Sequence, residues 1–505
     1  MRLFVENRYA LLALVLVALL VLLVVAHVTR PGSESAALDR GERMVTPVES
    51  TVRVCPPPQG GDDHEIVAFA APEELGENAA ATTDDAVGSA VATENESDAD
   101  VVDEAPSPGE PWQVDPDETD EQTVFRSAGS FAQGLEITQA SIGDEDAPAA
   151  AEVRCGEPGL GEWFLTPGGG DLADLELFLA NVDDTPATVN IDVYAAEGPL
   201  YEPDHRGIAI EAHDELSVDL LETSEVSTPV AVHVRTNRGR VAAALFGGWS
   251  EAGSDWVPPA DAPGHTHVIP GLPEGGGARE LVVATPHDRP AEASVRLFTP
   301  EGEVEHDSLD TVDVPPAASA TLGLEGQLNE EAGTVVVESD EPVVAGVVAS
   351  EDGGEADAAY TAATGPLQQP LDSRTVLIPP PDTEGAVVLG AVEADVQVRL
   401  TPVLEVDDDD DNGEGEWSTG PVTEVSLAAD HTERVPLDEL EGVDDLDDVA
   451  VVQVRLTEDS GPVHAAHVTE FVGDDDSSTS IRPLHPTPDR VALPATGDSL
   501  SSVVP

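Results

Sequence analysis

Residues able to do chemistry are plentiful in this chain, so the first question is whether any group of them is arranged to do it. Asp and Glu make up 101 of 505 residues, so carboxylate pairs arise by chance at any spacing and no general acid and base can be picked out. His464 and His467 stand three apart, which on a strand sends them to opposite faces; His265 and His267 share a face but lack a third ligand for a metal. Ser250 lies in Gly248-Trp249-Ser250-Glu251-Ala252, a run like a nucleophile elbow without its last glycine, and Pro258-Pro259 follows where an elbow needs a helix. Gly168 to Gly170 and Gly275 to Gly277 lack the Lys-Ser/Thr and helix of a phosphate loop and read as hairpin turns. Asp407 to Asp411, with Asn412, Gly413, Glu414 and Glu416, offers oxygen ligands to calcium; without the alternating spacing of a calcium loop it reads first as a solvated turn. Leu493 to Gly497 has the form of a sortase sorting signal, but only eight residues follow, none basic, and it reads as coincidence. The expectation is a protein that is not an enzyme and carries no cofactor and no resident metal.

The cysteines are more informative. From Leu11 to Ala26 the chain runs without a charge, and residues 9–28 reach the length of about 20 residues that a helix needs to cross a bilayer. Arg2 and Arg8 precede it and a long acidic stretch follows, so residues 1–8 are expected in the cytoplasm and everything after Arg30 outside. A cleavable signal is the competing reading, with only Ser33 and Ser35 as a poor small-x-small site. Both readings export the bulk of the chain to a compartment that permits disulfides, so Cys55 and Cys155, the only two cysteines, are expected to be bonded.

The charge restricts partners. There are 21 basic residues, every one an Arg, and the formal net charge is -80. Nucleic acid is excluded as a partner, because affinity for it comes from basic side chains neutralising phosphates. Self-repulsion of this size is largely screened at about 1 M salt, where the Debye length falls to about 3 Å, so high-salt adaptation is the first reading. Calcium loading and binding of a basic partner are the sharper ones.

The elements that would carry any site are strands. Aromatics are only 4% of the chain, so the cores must be built from Val, Leu, Ala and Ile, and Val leans towards strands. Met44 to Cys55 alternates at Val48, Val52 and Val54, and Glu65 to Ala70 makes a second short strand. Residues 71–121 hold 17 acidic residues, no basic one, and Trp112 as the only aromatic; they are expected to be a disordered acidic loop. Beyond Cys155 the chain repeats. ELFLANVDDTPATVNIDVYAAEG from Glu176 returns as ELVVATPHDRPAEASVRLFTPEG from Glu280, displaced by 104 residues, and both read as strand, turn, strand. SVDL at Ser217, TLGL at Thr321 and RVPL at Arg434 follow, and then Val-rich strand pairs from Val232, Val335 and Val452. HVIP at His267 and VLIP at Val376 introduce the units, with VALP at Val491 as a last echo.

This pattern predicts an all-β protein of tandem immunoglobulin-like β-sandwich modules behind one N-terminal transmembrane helix. The expected boundaries are a stub (1–8), anchor (9–28), stalk (29–43), N-terminal β region (44–155), three modules (156–262, 263–370 and 371–472) and a tail (473–505). Val54-Cys55-Pro56, Cys155 ahead of Trp163-Phe164, VHVRTNRGRVAAA, Asp255 to Pro259 (DWVPP) and HVIPGLP together resemble domain-of-unknown-function family 5719, an actinobacterial group of anchored or secreted proteins. The likeness covers Met44 to Val472 and implies a cell-envelope location without an activity. The functional expectation is a membrane-anchored, extracellular protein with a structural or interaction role, its partner an envelope protein or polysaccharide. An accessory factor for envelope polysaccharide is the alternative; it needs Trp163, Trp249, Trp256 or Trp417 exposed near one another, and buried tryptophans would remove it. An envelope hydrolase built on Ser250 is the third reading.

Overall fold

In the computed structural model the described residues are 19–20, 44–61, 63–71, 88–96, 101–115, 122–144, 147–166, 172–223, 230–249, 253–304, 311–324, 326–350, 358–406, 416–472 and 477–493. They are almost all strand, and no helix among them is long and apolar enough to cross a membrane. The anchor expected at 9–28 falls outside the described residues except for Leu19 and Leu20, which are helical and exposed.

Residues 47–489 form one compact unit, made of four sandwiches rather than three. The first uses β2 (Ser50–Cys55), β3 (Asp63–Ala70), β4 (Gly88–Glu94), β5 (Val101–Glu104), β6 (Trp112–Val114), β7 (Thr123–Gly129), β8 (Leu135–Asp144) and β9 (Ala147–Arg154). The second uses β10 (Gly161–Thr166), β11 (Leu172–Asn181), β12 (Ala187–Ala195), β13 (Gly198–Leu200), β14 (Ile208–Ile210), β15 (Asp214–Asp219), β16 (Val230–Arg238), β17 (Ala242–Trp249) and β18 (Ser254–Val257). The third uses β19 (Gly264–Leu272), β20 (Ala278–Thr285), β21 (Ala291–Thr299), β22 (Gly302–Glu303), β23 (Val312–Val314), β24 (Ala318–Gly323), β25 (Gly333–Ser350) and β26 (Ala358–Ala362). The fourth uses β27 (Arg374–Leu377), β28 (Glu384–Ala391), β29 (Val396–Val406), β30 (Glu416–Thr419), β31 (Thr423–Leu427), β32 (His431–Pro436), β33 (Val449–Leu456), β34 (His464–Val472) and β35 (Ser477–Pro483). Apart from this unit, β1 (Val45–Pro47) and β36 (Arg490–Ala492) pair as a two-stranded ribbon, and the Leu493 N–H donates to the Met44 carbonyl at 2.9 Å.

All four sandwiches share one pairing order. In the first, a front sheet runs β2-β7-β4-β5 and a back sheet β6-β3-β8-β9; the second has β10-β16-β12-β13 and β15-β11-β17-β18, the fourth β27-β33-β29-β30 and β32-β28-β34-β35. In the third, β25 serves both sheets: residues 333–339 pair with β19 and β21, and residues 344–350 with β20 and β26. This order replaces the immunoglobulin-like expectation, in which the first and second strands would share a sheet; here they lie in opposite sheets.

Four further expectations are corrected. The segments starting at Glu176 and Glu280 are not hairpins, since β11 and β12, like β20 and β21, belong to different sheets and their turns arch across the core. The same holds for the Gly275 to Gly277 turn between β19 and β20. Within 71–121, residues 88–94, 101–104 and 112–114 are strands, because Ala90, Ala92, Trp112 and Val114 alternate into the first core and leave the carboxylates in solvent; residues 72–87, 97–100 and 116–121 lie outside the described ones. The tail gives up Ser477–Pro483 as β35, the last strand of the fourth sandwich.

The sandwiches close on one another cyclically. Val52, Val54 and Val124 on the first front sheet pack on Ala180, Val182 and Ala242 of the second back sheet. Trp163, Leu165 and Ala231 repeat this against Val282, Ala284 and Val344 of the third, and Phe298 and Val336 against Val392 of the fourth. The fourth front sheet then returns to the first back sheet, with Val376, Ile378, Val403 and Val451 on Val67, Phe69 and Ala71. The last strands meet at the centre, β9 touching β18 and β35, and β26 touching the same two. A heterologous interface repeated through a closing rotation makes a ring; here one chain supplies all four positions.

Candidate functional site

The centre of the ring is ionic. Alternation along β9 would normally leave Glu152 to solvent, but β18 and β35 flank it and only 3% of it is exposed. Its N–H donates to Asp255 Oδ1 (3.3 Å) and Ser480 Oγ (3.1 Å), and Ser480 Oγ donates to Asp255 Oδ2 at 2.9 Å, so the first, second and fourth sandwiches are tied at one point. The Glu152 carboxylate accepts from Arg482 Nε at 3.1 Å and from Thr469, with His467 Nδ1 at 3.3 Å. Burial by itself would raise this carboxyl; His467, Arg482 and Thr469 outweigh it and hold it down at about 2. Glu136 sits between Arg154, whose Nε lies 2.8 and 3.0 Å from its oxygens, and Arg482 Nη1 at 3.8 Å. Arg53 pairs with Glu157, and burial followed by the nearby Arg154 lowers Arg53 to about 10.

Beside this network a cleft of about 1390 Å³ opens, with Arg154, Glu157 and His485 on the network side and Pro286, His287 and Ala317 from the third sandwich opposite. Burial, reinforced by Arg154, Arg53 and Arg482, drops His485 to about 3, so its imidazole is neutral at neutral pH. One wall is the outer face of the second front sheet. Register places Trp163 and Asp192 on either side of His233, and His233 stacks on Trp163 with centroids 4.0 Å apart and planes 5° from parallel. Tyr194 stacks on Trp163 at 5.6 Å. Asp192 pairs with Arg206 and lies 3.5 Å from Arg235 Nε. Burial lowers His233 to about 4. Glu162 behaves oppositely: burial, then Glu157, raise it to about 7 against the pull of Arg154. The rim carries Leu160 and Tyr201, 72% and 76% exposed, the most exposed large apolar side chains among the described residues.

Cys55 and Cys155 form the expected disulfide, both fully buried, joining β2 to the residue after β9 and so closing the first sandwich end to end. The tryptophans do not form an exposed platform: Trp163 and Trp256 are buried, Trp249 stacks on Tyr360 at 5.9 Å, and Trp417 packs half-buried at the joint between the fourth and first sandwiches. His464 Nδ1 meets the Thr364 carbonyl at 2.8 Å while His467 meets Glu152, so they act apart. His265 and His267 contact the Ser339 and Val343 carbonyls. Among the described residues no three His, Cys, Asp or Glu side chains are grouped to hold a metal. Ser250, Gly168 to Gly170, Asp407 to Asp411 and Pro494 to Gly497 fall outside the described residues. Sequence reasoning missed Glu136, Glu152, Arg154 and Arg482 altogether, as it did Glu162 and His233.

Fold and site together define a single-chain ring of four β-sandwiches with a polar axis and a lateral cleft. The chain belongs to the Family of unknown function (DUF5719), whose model matches residues 112–437, from the first sandwich into the fourth. No curated protein matches. Among solved structures, a crystal structure of Thermotoga maritima 1070 aligns at 18% identity over 21% of this chain and 96% of that one, with a TM-score of 0.18. An alpha-L-rhamnosidase of Streptomyces avermitilis, complexed with L-rhamnose, aligns at 10% identity over 83% of this chain and 54% of that one, with a TM-score of 0.13. Neither superposition reaches the level at which a shared fold is inferred.

Proposed function

We propose that this is an exported, membrane-anchored protein of the cell envelope that acts by binding rather than by catalysis, in surroundings of high salt. The observation that carries the binding reading is the cleft: it is far larger than a single ion needs, and its rim carries the exposed apolar side chains of Leu160 and Tyr201. The buried disulfide fits an oxidising compartment. The ring fits a rigid platform, because four sheet-on-sheet joints leave no sandwich free to swing. The polysaccharide alternative loses the exposed tryptophans it required.

The test is the placement of the full chain in its own cells. Protease added outside intact cells should degrade it, and alkylation without reductant should leave Cys55 and Cys155 unlabelled after denaturation. A protease-resistant chain with two labelled thiols would overturn the reading.

A further inference from the structure

We infer that the lateral cleft is a docking groove for a basic, extended peptide segment of a partner protein. The charged groups of its wall cancel unevenly. Arg154 is taken by Glu136, Arg206 and Arg235 share Asp192, and Glu157 is taken by Arg53. That sharing leaves one surplus cation, whereas Glu162, Asp261 and Asp372 line the cleft with no ion pair of their own among the described residues, Arg154 reaching Glu162 only at longer range. A largely desolvated carboxyl held in no ion pair, such as Glu162, gains most from an arriving guanidinium or ammonium. The apolar part of the ligand is set by Leu160 and Tyr201, which stand exposed at the two opposite edges of the wall sheet, before β10 and after β13, so that an extended segment lying across the sheet meets both.

Size points the same way. Small-molecule sites run to about 1,000 Å³, and this cleft, at about 1390 Å³, has room for several residues of extended chain. A formal charge of -80 would also draw a basic segment in from a distance. The inference deepens the binding reading and rests on it, but needs nothing from the proposed location, so it is tested with purified protein.

The experiment is fluorescence anisotropy of the full chain with a labelled octapeptide alternating Arg and Leu, in about 0.5 M salt to screen the general surface. Octapeptides alternating Glu with Leu and Ser with Leu serve as controls. The Arg peptide should bind at least tenfold more tightly than either. Glu162→Gln and Tyr201→Ala should each weaken it at least tenfold, whereas Asp438→Asn with Glu439→Gln, exposed in the fourth sandwich, should change it less than twofold. Tyr201 is exposed, so its truncation leaves the fold intact; an unchanged melting curve checks this. Equal losses from the remote pair and from Glu162→Gln would reduce the effect to surface charge and overturn the inference. So would displacement of the peptide by a neutral N-acetylglucosamine hexasaccharide, which would make the cleft a saccharide site, or failure of the Arg peptide to bind. If the peptide binds but the chain proves not to be exported, the location falls and the groove stands.

Discussion

Glu152 and Glu162 are both largely withdrawn from water, yet they bear on stability in opposite ways. Glu152, held at about 2 against an ordinary 4.5, contributes stability that is complete above its ordinary value and is lost as pH falls towards 2. Glu152→Gln takes the nearer carboxylate from buried Arg482 and leaves only Glu136 at 3.8 Å, and should cost about 3–5 kcal/mol at pH 7 by denaturant titration, with the deficit shrinking towards pH 2. Glu162, raised to about 7, costs no stability below 4.5, destabilises increasingly as pH rises from 4.5 to about 7, and exerts its full cost above that. Glu162→Gln should therefore stabilise the protein at pH 8, by up to about 3 kcal/mol, and leave it unchanged at pH 4. The disulfide was legible because two cysteines allow one pairing. The ion network was not, since a carboxylate carries no information in a chain that has so many. The usable mark was the scarce residue: Arg53, Arg154 and Arg482 each interrupt an apolar or Ser/Thr strand, where a solvent-facing role is hard to give them.

At the scale of elements, period-2 alternation located strands but not their partners. A strand followed by a tight polar turn suits a hairpin and an arch between sheets equally, and only the packing of both faces distinguishes them. β11 and β12 each bury one face in the shared core and turn the other to a neighbouring sandwich, which requires opposite sheets. Composition misled over β4 and β6, whose alternating Ala, Trp and Val were outweighed by the surrounding carboxylates in a count that ignored position, and over β5, which is fully exposed and holds its place by pairing with β4. The close approach of sheets gives a direct check. A Cβ on Gly390 of β28 would lie 2.5 Å from Thr334 Oγ1 and 2.8 Å from its Cγ2. Gly390→Ala should thus lower stability by about 1–3 kcal/mol, and adding Thr334→Ala should recover part of the loss, a coupling that independent sites would not show.

At the scale of the molecule, the 104-residue repeat exposed two sandwiches and the outline of a third. The first stayed hidden behind its acidic strands, and closure was invisible because the joints use the same Val and Ala as the cores. The Cys55–Cys155 bridge spans 100 residues, and replacing both with Ala should cost up to about 4–5 kcal/mol in the chain-entropy view. If the charge is a high-salt adaptation, circular dichroism should report lost stability as salt falls from about 2 M to 0.1 M; an unchanged midpoint would point to a specific partner instead. The central claim is that the first and fourth sandwiches meet, with the Ala150 N–H on Ser478 Oγ at 2.8 Å. A chain carrying Ala150→Cys and Ser478→Cys, mildly oxidised and run without reductant, tests it directly. The closed ring predicts an additional intramolecular disulfide linking these positions in nearly every molecule, whereas two new thiols that stay free would show an open string of sandwiches.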